Sequence, residues 1–165
     1  MKKISFYEER TVKWDDSKQS VVLIDQSKLP TRLEFIQCSE ARELVDAIKT
    51  MKIRGAPAIG VAGAMGVALS AISSNAKSKT DFLADIAKDV SALKSARPTA
   101  VNLSWGVDRV MQFIESEHTT DNELKMRIVD FVKNLADADV AANKKLSDQG
   151  AKLFRSGESV LTHCN

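Results

Sequence analysis

The chain has 165 residues and 18.1 kDa, the size of one domain, or of one domain with a fragment of a second. Its 44% apolar and 28% charged residues exclude extensive disorder, and a chain of this length buries about 70% of its unfolded surface without needing staples. Twenty-four basic against 22 acidic residues leave a net charge of +2, which gives no ground for a nucleic-acid partner or an anionic membrane surface. The two cysteines, Cys38 and Cys164, form no CxxC or Cys/His spacing. No metal site and no disulfide framework is therefore expected, and a cytoplasmic location fits best. The first nine residues lack the apolar core of a signal peptide.

The first forty residues read as β-structure. Residues 11–14, 20–25 and 32–37 are short runs rich in Val, Ile, Leu and Phe. Gln26-Ser27-Lys28-Leu29-Pro30 separates the last two as a hairpin or tight connection. The period then becomes helical: Ala41, Leu44, Val45, Ile48 and Met51 share a face, with Ser39 as N-cap. Pro57 opens a second helix, where a proline is tolerated. Residues 56–72, with Gly60, Gly63 and Gly66, are slightly short and too small-residued for a membrane span, and read as a buried core helix.

A third helix is expected over residues 81–96, capped by Thr80, with Leu83, Ile86, Ala87, Val90 and Leu93 inward. Arg97-Pro98 stops it, because the residue before proline is pushed out of the helical region. Thr99 caps the next, which passes Trp105, Val110, Met111 and Ile114. Thr120-Asp121-Asn122-Glu123 has the spacing of a capping box. It opens a long helix, to residue 147, with Leu124, Ile128, Phe131, Leu135, Ala138 and Ala142 in one stripe. Gly150 and Gly157 bracket a linking segment, and residues 158–164 read as a strand without a following neighbour. That ending is expected of a longer protein cut at the entrance to its next domain.

Three places invite chemistry. Arg54-Gly55-Ala56-Pro57 joins a cation and an open backbone to a helix start, where free N–H groups and the dipole favour a phosphate or carboxylate. The competing reading is a tight inter-helix turn with a solvated arginine. Arg97-Pro98-Thr99 holds an arginine extended at a helix junction, either as a fork for phosphate oxygens or as plain punctuation. Thr162-His163-Cys164-Asn165 puts a cysteine at a strand end, as an acid, base or nucleophile, or as a small buried hydrophobe. Cys38 is read as such a hydrophobe, His118 as a surface residue, and Trp14 and Trp105 as packing.

Together these segments resemble the methylthioribose-1-phosphate isomerase family. The matching runs are Arg54-Gly55-Ala56-Pro57-Ala58-Ile59-Gly60, Ala96-Arg97-Pro98-Thr99-Ala100-Val101-Asn102-Leu103 and Leu161-Thr162-His163-Cys164-Asn165, with Ile24-Asp25-Gln26-Ser27-Lys28-Leu29-Pro30 as an earlier element. Ribose-1,5-bisphosphate isomerases and the regulatory subunits of translation initiation factor 2B share the architecture without keeping both the Arg-Pro-Thr-Ala-Val-Asn and Thr-His-Cys-Asn runs. The resemblance implies isomerisation of 5-methylthioribose 1-phosphate to 5-methylthioribulose 1-phosphate in methionine salvage, without metal or organic cofactor. It implies that Arg54, Gly55 and Ala56 bind substrate, that Arg97 holds the phosphate, and that Cys164 is catalytic. Its acidic partner, an aspartate, would sit in a second, Rossmann-like domain.

The expected fold is thus α+β: a small β-region and helical bundle over residues 1–150, then a linker and the first strand of a Rossmann-like domain over residues 151–165. The expected partners are the sugar-phosphate substrate, the C-terminal half (as a continuation or a separate chain) and a second copy in a homodimer. Without that half the chain is expected to be inactive. The rival expectation is a non-catalytic initiation-factor 2B-like subunit, with a ribose-1,5-bisphosphate isomerase as a third.

Overall fold

A computed structural model describes residues 10–118 and 122–162, and shows an α+β fold. Strands β1 (Val12–Asp15), β2 (Ser20–Ile24) and β3 (Phe35–Cys38) form an antiparallel sheet in that order. The register pairs Val12 with Leu23, Trp14 with Val21, and Val21 with Cys38. Alternation along each strand then turns Val12, Trp14, Val21, Leu23 and Cys38 into the core, while Lys13 and Gln37 face water. The Asp15 carboxylate accepts from the Ser17 hydroxyl at 2.6 Å and the Ser17 N–H at 3.0 Å, closing the β1–β2 turn. Those bonds hold the Asp15 carboxyl below its ordinary range. The third strand begins at Phe35 and not at Arg32, because the Arg32 N–H is turned back onto the Lys28 carbonyl at 2.9 Å.

Five helices follow: α1 (Ala41–Lys49), α2 (Ala56–Ser73), α3 (Lys79–Ser95), α4 (Val101–Ser116) and α5 (Asn122–Ala151). The caps differ from expectation by one or two residues. Glu40, not Ser39, occupies the N-cap of α1, and Glu43 accepts from the N–H groups of both Ser39 and Glu40. Ser78, not Thr80, caps α3 through a bond from the Asp81 N–H. At α4 the N-cap is Ala100, since the Arg97 carbonyl accepts the Ala100 N–H in a turn that carries the chain past Thr99. Met51 falls outside the α1 stripe: the helix ends at Lys49, and Met51 is exposed with a φ of 59°. Thr120 and Asp121, half of the expected capping box, lie outside the described residues.

Helix α2 is the centre of the fold, touching the other four helices, β1 and β2. By length and composition it could cross a membrane, yet 72% of it is buried inside the protein. Its small residues explain how. A Cβ at Gly106 of α4 would stand 2.1 Å from the Gly60 carbonyl oxygen, so the two backbones touch where these glycines meet. The same crossing sets Asn102 against Gly60 and Leu103 against Gly63. On α3, Phe82, Ile86 and Leu93 are buried, whereas Ala87 is exposed.

Helix α5 packs by its first half, through Leu124, Ile128, Val129, Val132 and Ala136. Phe131 stacks on Phe113 of α4 with centroids 4.7 Å apart, and Arg127 lies over the Phe113 ring while bonding Glu117 with both nitrogens at 2.6 Å. Ala138 and Ala142 are exposed, as are residues 141–149 throughout, because the helix outgrows the body it packs on. It runs to Ala151, so Gly150 sits in its last turn and not in a linker. Residues 158–162 join no sheet in this structure, and His163, Cys164 and Asn165 lie outside the described residues.

Candidate functional site

The stretch from Arg54 to Ala58 is fixed from two sides. Gly55 caps α2 with a φ of 95°, a conformation that side-chain-bearing residues rarely adopt. Gln26, just past β2, ties the segment to the sheet: its N–H donates to the Lys52 carbonyl at 2.8 Å and its Nε2 to the Arg54 carbonyl at 3.2 Å. Pro57 has no N–H to offer, and the Ile59 N–H is used by the Gly55 carbonyl. Among the described residues the amides of Ala56 and Ala58 have no acceptor and are left as donors of the first turn.

This helix start opens onto a cavity of about 830 Å³ between the sheet, α2 and α5. Arg10, Arg54 and Lys144 bring positive charge to it and Asp139 negative charge, with Gln26 and Asn143 as neutral polar groups. Arg10 is held by Asp137 at 2.5 Å. The side chains of Arg54 and Lys144 make no ion pair or hydrogen bond with any described residue, so their charge is available to an anion. A second cavity, about 320 Å³, is lined by Pro57, Val61, Asn102, Trp105, Leu135, Ala138 and Asp139. The two share Pro57, Val61 and Asp139, and so adjoin across the first turns of α2.

Of the residues singled out in the sequence, Arg54 and Gly55 line the larger cavity; Ala56 is exposed beside them. Arg97, half-buried in the turn before α4, lines neither cavity, and its run reaches the smaller one through Asn102. Cys164 lies outside the described residues. Cys38 is fully buried, and loss of water pushes its thiol up to about 11, with Glu43 adding to the rise. It is a core residue and a poor nucleophile. Trp14 is core, but Trp105 is 50% exposed at the smaller cavity, and His118 is exposed. Among the described residues no group of three or more His, Cys, Asp or Glu side chains is placed to hold a metal ion. Arg10, Asp139 and Lys144 were not anticipated. The signal was the spacing of Ala136, Asp139, Val140 and Asn143, which puts all four on one helical face.

A family model for the initiation factor 2 subunit family matches residues 52–165. The chain belongs to that family. Over 156 residues it is 42% identical to a putative methylthioribose-1-phosphate isomerase of Methanosarcina acetivorans, and 40% identical to the methylthioribose-1-phosphate isomerase of Heliobacterium modesticaldum. Both alignments take in 94% of this chain but only 44% and 45% of the relative, so the chain spans less than half the length of these proteins. A crystal structure of 5-methylthioribose 1-phosphate isomerase from Pyrococcus horikoshii superposes with a TM-score of 0.80 at 41% identity, over 88% of this chain and 40% of that one. A structure of translation initiation factor eIF-2B subunit delta from A. fulgidus gives 0.71 at 37% identity, over 94% and 45%.

Proposed function

We propose that this chain supplies the N-terminal part of an aldose–ketose isomerase acting on 5-methylthioribose 1-phosphate in the cytoplasm. The observation that supports this most is the basic cavity at the start of α2, where Arg54 and Lys144, unpaired among the described residues, flank a turn with two amides that no described residue accepts from. An anion placed there meets charge-assisted donors and the positive end of a helix. Arg54, Gly55 and Ala56 bind the substrate; Arg97, in the turn before α4 and outside both cavities, is assigned to the phosphate by the family resemblance. The anomeric carbon of such a substrate carries the phosphate, so the ring must open before hydrogen moves between C1 and C2. Anchoring the phosphate keeps both carbons in place while an acid–base pair assists the opening. Cys164 supplies one member of the pair. The other comes from the part of the relatives that this chain does not span, along with the rest of a Rossmann-like domain that residues 151–165 introduce.

The experiment is an isomerase assay on the 165-residue chain, alone and mixed with a polypeptide matching that remaining part. Activity should need both, and Arg97→Ala or Cys164→Ser should then lower it at least a hundredfold with the fold intact. Wild-type rates in both variants would refute the assignments. A second reading, a non-catalytic initiation-factor 2B-type subunit, draws on the likeness to eIF-2B subunit delta. It requires that the mixture associate and yet show no turnover.

A further inference from the structure

A Cβ at position 55 would meet nothing within 4 Å, so crowding does not demand glycine there; its φ of 95° does. That angle belongs to the peptide joining Arg54 to Gly55. Turning this peptide over would carry the Gly55 φ into the negative range. With its ψ of 127°, the residue would then lie in the broad β region that any residue adopts. Something must hold the peptide in the more demanding orientation. Among the described residues it has one hydrogen bond: the Arg54 carbonyl accepts from the Gln26 Nε2 at 3.2 Å, while the Gly55 N–H has no acceptor.

Gln26 is itself held on both sides. Its own N–H donates to the Lys52 carbonyl at 2.8 Å, and the Asp25 N–H donates to the Glu34 carbonyl at 2.9 Å. The buried Asp25 carboxylate accepts from the Ser27 N–H at 3.0 Å and the Ser27 hydroxyl at 2.6 Å, which fixes the turn that presents Gln26. From this geometry we infer that Gln26 is a positioning residue for the anion site, and that it acts by fixing the orientation of the Arg54–Gly55 peptide. The inference rests on the isomerase reading above and gives the Asp25-Gln26-Ser27 run its part in it. In a trans peptide the carbonyl and the N–H point opposite ways. Holding the Arg54 carbonyl on Gln26 therefore keeps the Gly55 N–H on the other edge, next along the chain from the Ala56 amide. With the peptide reversed, a carbonyl oxygen stands there instead, and it can only accept. The Arg54 side chain stays on its Cα, so the site keeps its cation and loses the donor edge that an anion needs.

The test is a titration of the 165-residue chain with inorganic phosphate, read at the Ala58 amide by nitrogen-15 NMR, with urea unfolding alongside. Gln26→Met keeps the backbone N–H and the side-chain length and removes only the donor; Gln26→Ala repeats the test without the long side chain. Either should weaken phosphate binding by about two- to tenfold, one hydrogen bond being the most that is lost. Combined with Gly55→Ala, the loss should exceed the product of the two single losses, because both changes drain the same binding-competent population. Stability should couple the opposite way. Gly55→Ala should lower the urea midpoint less in the Gln26→Met chain than in wild type, since the released peptide escapes the strain by turning over. A side chain that merely braced the fold would add its cost independently. If Gln26→Met binds phosphate as well as wild type, or if the two substitutions act independently in either measurement, the positioning role fails and the anion site stands. If the Ala58 amide of the wild-type chain does not respond to phosphate, the anion site itself is overturned, and the inference with it.

Discussion

Gly106→Ala tests the packing that positions both cavities. The added Cβ would stand 2.1 Å from the Gly60 carbonyl oxygen, 2.8 Å from its carbon and 3.2 Å from the Gly60 Cα, all backbone atoms. No rotamer can relieve such a clash, so α4 must back away from α2 by about 1 Å to reach an ordinary contact. A gap of that size forfeits about a quarter to a half of the dispersion energy along the face, where Leu103, Val107 and Val110 are fully buried. Helix propensity works the other way, favouring alanine by about 1 kcal/mol. Packing should win, with a net destabilisation of about 2–4 kcal/mol. For a domain of this size that lowers the melting temperature by about 5–15 °C. Thermal and urea unfolding followed by circular dichroism measure it. Gly150→Ala is the control: it too is helical, and a Cβ there meets nothing within 4 Å, so it should melt at or slightly above wild type. If Gly106→Ala matched that control, the backbone contact between α2 and α4 would be wrong.

Two further outcomes follow from single residues. Gly55→Ala should cost about 1–3 kcal/mol through its φ of 95° alone, since a Cβ there meets open space, and should weaken phosphate binding in an NMR titration; unaltered melting would refute the strained cap. Cys38 should resist thiol reagents until the chain unfolds. Its folded value of about 11 exceeds its ordinary 9.0, so the stability it contributes is complete below pH 9 and disappears as the pH rises through 11. Urea unfolding at pH 8 and pH 10.5 should show wild type losing on the order of 2 kcal/mol more than Cys38→Ala, and parallel losses would refute the burial argument.

Much of the architecture was legible because local chemistry and tertiary demand agree. The alternation of Val12, Trp14, Val21 and Leu23 announces a half-buried sheet, and the Gly/Ala content of α2 announces a helix that others approach closely. The caps were less legible because several capable residues stand side by side: Ser39 beside Glu40, and Ser78 two residues before Thr80. Which one caps depends on backbone angles that the wider fold dictates. The stripe on α5 holds through Leu135 and fails at Ala138 and Ala142 for a different reason. Leu124 through Ala136 have a partner in α2, but beyond Val140 the helix has no packed neighbour among the described residues, and an apolar period buries nothing without one.

The candidate site divides along the same line. Arg54 and Gly55 were legible because an anion-binding helix start is a local motif, complete within a few residues. Asp139 and Lys144 were not, because they reach the cavity only when α5 lies along α2 some eighty positions later in the chain. Yet local chemistry also says why they are needed. Proline at the start of α2 removes one amide, leaving Ala56 and Ala58 as donors where the same three positions without proline would offer three. Two neutral amides are a weak anion site. The charge that completes it must come from side chains, and Lys144, seated on the opposite wall, is where the fold supplies it.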